Sequence, residues 1–122
     1  VSALSIDSLF AAIDGRDAEA FAAFMQEEGV FRFGNAPPVA GRAAVRDSVA
    51  DFFAAIGGVR HELEASWEMP DALLCHGIVH YTRLDGSGHS VPFANVLSLD
   101  PDSGQVRDYR IFADLSGLFA DG

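Results

Sequence analysis

Ile6, Leu9, Phe10 and Ile13 fall at i, i+3, i+4 and i+7, the spacing that lays apolar side chains along one stripe of an α-helix, and Gly15 ends the run. Asp17 opens a second helix as an N-cap, with Phe21, Phe24 and Met25 as its buried stripe up to about Glu28. The two form a hairpin with a very short link. "GVFRFG" predicts a short strand with Phe31 and Phe33 on one face, ended by the loop "GNAPPVAG". Arg42 to Ile56 predicts a third helix with Val45, Val49, Phe52, Phe53 and Ile56 on its apolar side, and Gly57-Gly58 stops it.

After Gly58 the period changes to two. "VRHELEASWEM" alternates so that His61, Leu63, Ala65, Trp67 and Met69 share a face opposite Glu62, Glu64, Ser66 and Glu68. "ALLCHGIVHYTRL" follows after Pro70-Asp71, then "HSVPFANVLSL" after the turn "DGSG", and "QVRDYRIFADL" after "DPDSG", before a C-terminal helical turn. The order α-α-β-α-β-β-β-β makes this an α+β chain with a meander of long antiparallel strands. Twisted strands of that length curl, so helices laid on the concave side enclose a conical space, one central pocket that either side chains or a ligand fill. Residues 1–122 fit a single domain.

Composition narrows the function classes. Hydrophobic residues make up 49%, with 10 Phe, enough to build a core. The formal net charge is -10 and every basic residue is Arg, so neither a nucleic-acid backbone nor an anionic membrane surface is an expected partner. The Arg-only, Ala- and Gly-rich usage is that of a GC-rich bacterial genome. Cys75 is alone, which precludes an internal disulfide framework and a Cys-x-x-Cys metal site, and fits a reducing compartment. With no signal-like start and no membrane-length apolar run, a cytoplasmic protein is expected.

Strand faces select the candidate chemistry. The last strand puts Arg110, Phe112 and Asp114 on one face and Tyr109, Ile111 and Ala113 on the other. With Phe112 toward the helices, Asp114 would be an acid in the core, needing a partner or a proton; it serves either in proton transfer or as a cap or Arg110 partner at the C-terminal turn. Asn95 shares a face with Phe93 and Leu97, where its amide meets either a ligand or backbone. Tyr81, on the face of Val79 and Gly77, either points into the pocket or reaches its rim. Among His61, His76, His80 and His89, His80 is the alternative general base, being on a central strand. His76 and His80 lie about 13 Å apart at strand spacing, too far to share a metal, so no metal site is expected.

The element order, "APPVAGRAAVRDSVADFF" and the stretch from "GIVHYTRL" to "DLSGLF" resemble SnoaL-like members of the nuclear transport factor 2-like superfamily, over nearly the whole chain. That resemblance implies the cone-shaped fold and relatives such as ketosteroid isomerases, polyketide cyclases and limonene-epoxide hydrolases. It gives Asp114, in "FADL", the place of a pocket acid. It also brings departures: Gly77 and Val79 stand where the epoxide hydrolases carry an Arg and a second Asp, and "FRFGNAPP" lacks the isomerase base. Asn95 falls near the isomerases' oxyanion-hole acid. The implied site is walled by Phe33, Trp67, Tyr81, Phe93 and Phe112, with Arg110 near Asp114, and suits a hydrophobic carbonyl- or hydroxyl-bearing small molecule with no cofactor. The expected function is cofactor-independent cyclase, isomerase or hydrolase chemistry with Asp114 as acid or base and Asn95 or Tyr81 stabilising charge on oxygen. The alternative is a non-catalytic binding domain. Relatives often pair through the sheet, so a homodimer is expected.

Overall fold

The structure, a computed structural model, describes residues 6–34, 36–114 and 117–118. Helices α1 (Ile6–Asp14), α2 (Ala18–Ala22) and α3 (Arg42–Ala54) cover one face of a six-stranded curved sheet made of β1 (Met25–Phe33), β2 (Val39–Ala40), β3 (Gly58–Met69), β4 (Ala72–Thr82), β5 (Gly88–Leu99) and β6 (Val106–Ala113). The strand order is β2-β1-β6-β5-β4-β3. The α+β class and the enclosing sheet agree with the alternation of the sequence. Asp17 caps α2 as its residue type requires, its Oδ1 accepting from the Ala20 backbone N–H at 3.0 Å.

Three features depart from the expected elements. The second helix ends at Ala22, and Met25 already belongs to β1, so the apolar residues that prolong the helical stripe continue as strand. The loop after β1 contains the two-residue β2, paired through Val30 opposite Ala40 and Phe31 opposite Val39. The sheet is mixed, because β1 runs parallel to β6. A parallel partner far along the chain leaves no local signature in either strand.

The phase of each strand decides which side chains enter the core. Residues directly opposite on neighbouring strands share a face. Phe93, Asn95 and Leu97 of β5 point inward and are opposite Ala113, Ile111 and Tyr109, so those three of β6 point inward as well. Arg110 and Phe112 therefore lie on the outer face, where the Arg110 guanidinium sits 5.4 Å from the Phe112 ring centre. Phe112 is 51% exposed and Asp114 is exposed beyond it, the reverse of the phase in which both would have faced the helices.

A second phase change occurs within β3. Leu63 is opposite Gly77, but Ala65 is opposite His76, so one extra residue is accommodated between them. Such a bulge moves every later side chain to the other face. Val59 and His61 point inward, whereas Trp67 is opposite the outer residue Leu74, is 53% exposed and stacks on His76 at 5.7 Å. Trp67 thus does not line the cavity between the sheet and the helices. In contrast, β4 and β5 stay in regular register through Pro92, opposite Ile78, and Asn95 keeps its inward position.

The core lies between the helices and the concave face, with Leu9, Phe21, Val45, Val49 and Phe53 packed against Val79, Tyr81, Phe93, Leu97 and Tyr109. Among the described residues, no helix is long and apolar enough to cross a membrane. The expected C-terminal helical turn falls mostly outside the described residues; Leu118 is buried, and its carbonyl accepts from Arg83 Nε at 2.9 Å.

Candidate functional site

The concave face and the helices leave a cavity of about 200 Å³ between them. Apolar and aromatic side chains form most of the lining, including Phe33, Phe52, Phe93 and Ile111. Into this surface project five polar side chains: Ser48 of α3, His61 of β3, Tyr81 of β4, Asn95 of β5 and Tyr109 of β6. Each strand residue is there because it occupies the inward phase of its strand.

His61 is the most elaborately held. Its Nδ1 lies 2.7 Å from Asp14 Oδ1, and its backbone N–H donates to the other carboxylate oxygen at 3.3 Å. An ionised carboxylate only accepts, so Nδ1 carries the proton and Nε2 is left with its lone pair. The imidazole stacks on Phe10 at 4.6 Å and meets the edge of Phe93 at 5.1 Å, which fixes the plane of the ring. Burial pushes the His61 pKa below its ordinary 6.5, outweighing the Asp14 carboxylate, which pulls it up. A neutral imidazole, oriented by a carboxylate and facing an apolar cavity, has the equipment of a general base.

On β5, Asn95 is 2% exposed and its Nδ2 lies 3.4 Å from the Tyr109 hydroxyl. Cys75, opposite Asn95 on β4, is buried, and its thiol is pushed up to about 11 by that burial, partly offset by hydrogen bonds from Asn95. Burial likewise raises the Tyr81 and Tyr109 hydroxyls, with Cys75 and Tyr81 adding to the rise at Tyr109. All three are therefore neutral donors and acceptors near pH 7. Tyr81 and Tyr109, which line the cavity, can hold or polarise a ligand oxygen but are not bases.

Of the residues selected from the sequence, the structure brings Asn95, Tyr81, Phe33 and Phe93 to the cavity. Asp114, Arg110, Phe112 and Trp67 do not line it. His80 is on the outer face, opposite Arg60 and Ser90, with Nδ1 2.7 Å from Ser90 Oγ. Among the described residues no group of three His, Cys, Asp or Glu side chains is placed to hold a metal ion.

Sequence selection missed Asp14, His61 and Tyr109 as site residues. Two signals pointed to the first pair. Asp14 is an acid in the last turn of α1, where the helix dipole disfavours it, and His61 is a titratable residue on the inward phase of a strand. Their pairing spans 47 residues and has no local trace.

Residues 6–109 match the SnoaL-like domain family. No curated protein matches the sequence. The fold is similar to that of a hypothetical protein from Catenulispora acidiphila with a ketosteroid isomerase-like fold, solved with trimethylamine (16% identity, 91% of this chain and 85% of that one, TM-score 0.81). It is also similar to a putative SnoaL-like polyketide cyclase from Shewanella denitrificans (12% identity, 91% and 88%, TM-score 0.79). A third similar structure is TerC co-crystallised with polyporic acid (18% identity, 93% and 91%, TM-score 0.76). At these identities the likeness is one of fold. With 6–109 matched and the curved sheet in place, the chain belongs to the SnoaL-like domain family and has its cone-shaped α+β fold.

Proposed function

We propose that the protein is a cofactor-independent proton-transfer enzyme acting on a small hydrophobic molecule, with His61 as the base and Asp14 as its orienting partner. The observation that carries this is the 2.7 Å His61–Asp14 contact at the wall of an apolar cavity. The proton-transfer role expected of Asp114 passes to His61. Tyr81, or Asn95 with Tyr109, would steady negative charge developing on a substrate oxygen. The cyclase, isomerase and hydrolase classes all use such a step, and two similar folds were solved with small organic molecules, trimethylamine and polyporic acid.

A substrate-independent probe tests it. 5-Nitrobenzisoxazole loses its ring C–H to a base as the N–O bond breaks, giving a coloured cyanonitrophenolate. The protein should accelerate this reaction, and His61→Ala should remove about a hundredfold or more of the rate, the usual contribution of a positioned base. Asp114→Asn should leave it unchanged. An undiminished rate in His61→Ala would refute the assignment.

A second copy of the chain is the partner we propose. Trp67, Met69, Val96 and Phe112 are 53%, 43%, 36% and 51% exposed and share the outer face of the sheet. Sedimentation at micromolar concentration should give a dimer, and a monomer there would exclude the pairing.

A further inference from the structure

Arg83, just after β4, gives its guanidinium N–H groups to neutral acceptors on both sides. Nη1 donates to the Gly88 carbonyl at 3.0 Å and to Ser87 Oγ at 3.2 Å, which ties the turn between β4 and β5 together. Nε and Nη2 reach the other way, to the carbonyls of Leu118 at 2.9 Å and Gly117 at 3.0 Å. The remaining bond runs from Nη2 to Nδ1 of His89 at 3.3 Å. A guanidinium only donates, so Nδ1 accepts and the ring proton sits on Nε2. That Nε2 is a buried atom with no hydrogen-bond partner among the described residues.

His89 is directly opposite Tyr81, so it lies on the concave face beside the part of the cavity wall that Tyr81 forms. Gly117 rests on its ring: a Cβ at that position would be 2.8 Å from His89 Cε1. Leu118 is fully buried and belongs to the core. Gly117 and Leu118 thus form a strap over this end of the sheet, held by two backbone carbonyls and one arginine. The charged and titratable groups around the ring come from β4 and the turn. They are Arg83, Tyr81, whose hydroxyl burial keeps protonated, and Asp85, whose carboxylate accepts from the Ser87 N–H at 2.9 Å and hydroxyl at 2.6 Å.

We infer that His89 makes this strap releasable by acid, uncovering the concave face beside Tyr81. A second ring proton can go only to Nδ1, the atom that accepts from Arg83. It sets a donor against a donor and a positive charge 3.3 Å from the guanidinium. Gly117, packed on the ring, limits how far the imidazole can turn away. The guanidinium is then displaced, and because Nη2 holds Gly117 as well as His89, the bonds to the strap go with it. The closed strap therefore disfavours the second proton, and by linkage a fall in pH favours release. This device is separate from the proton transfer proposed for His61 and stands or falls without it.

Backbone ¹⁵N relaxation of the whole chain at pH 7.5 and pH 5.0 tests it. The Gly117 and Leu118 N–H order parameters should be near about 0.85 at the higher pH and below about 0.6 at the lower one, the ranges of rigid and flexible backbone. Val79 and Leu97 in the core should stay rigid at both, and the Arg83 Nε–H signal should be lost together with the order of the strap. His89→Asn puts an amide oxygen in place of Nδ1 that accepts but takes up no proton, so its strap should stay ordered at pH 5.0. Arg83→Met should loosen the strap at both pH values. A strap equally ordered, or equally loose, at the two pH values in the intact protein would overturn the inference. So would a loss of order at pH 5.0 that persists in His89→Asn, or one that Val79 and Leu97 share, which is general acid unfolding. Should Arg83→Met fail to fold, the intact protein and His89→Asn decide; should His89→Asn fail, His89→Gln replaces it.

Discussion

β3 and β4 are paired along their lengths, from Gly58 opposite Thr82 to Met69 opposite Ala72, yet they use alternation differently. β4 holds one phase throughout, burying Leu73, Cys75, Val79 and Tyr81 in turn. β3 begins in phase with it, turning Val59 and His61 inward, and after its bulge shows Trp67 and Met69 to the outside. The break is paid for by Gly77. A Cβ at that position would collide with the Glu62 carbonyl oxygen, so only a residue without a side chain lets the β3 backbone swing over β4. One strand is thereby split between two faces: its first half brings His61, the proposed base, to the cavity, and its second half adds a Trp to the proposed dimer face.

The comparison is broken most severely by Gly77→Ala. The added methyl group must displace the Glu62 peptide, a rigid neighbour, and a loss of about 3 kcal/mol in denaturant unfolding is expected, at the upper end for an overpacked core. A loss under about 0.5 kcal/mol would mean the bulge does not depend on Gly77.

A smaller effect comes from the inward half of β3. Because burial lowers the His61 pKa, the folded protein favours the neutral ring more than the unfolded chain does. Its contribution to stability is complete above the ordinary value of 6.5 and is lost as the pH falls through the lowered folded value. NMR titration of the ring should show that lowered midpoint, and Asp14→Asn should lower it further, since the carboxylate is what pulls it up. A midpoint that rises in Asp14→Asn would contradict the pairing.

The outward half should respond least. Trp67→Ser should change monomer stability by no more than about 0.5 kcal/mol, because its side chain is half exposed. Its effect should instead appear in sedimentation, as weaker pairing. A large fall in monomer stability would place Trp67 in the core after all.

Periodicity alone carried much of this protein. The helical stripes of α1 and α3 and the inward positions of Tyr81, Phe93 and Asn95 were all legible, because β4 and β5 alternate without interruption and one buried residue fixes the phase of the rest. Four outcomes belonged to the folded chain: the parallel pairing of β1 with β6, the phase of β6, the turn of Trp67 to the outside, and the meeting of Asp14 with His61. The physical reason is shared. An alternating segment offers two equivalent faces, and the choice between them is made by the strand beside it and by any bulge in between. "RDYRIFAD" could bury either Phe112 or Tyr109 by its own pattern, and Leu97 across the ladder settled it for Tyr109. His61 and Asp14 lie 47 residues apart, so their partnership exists only once α1 has packed against β3.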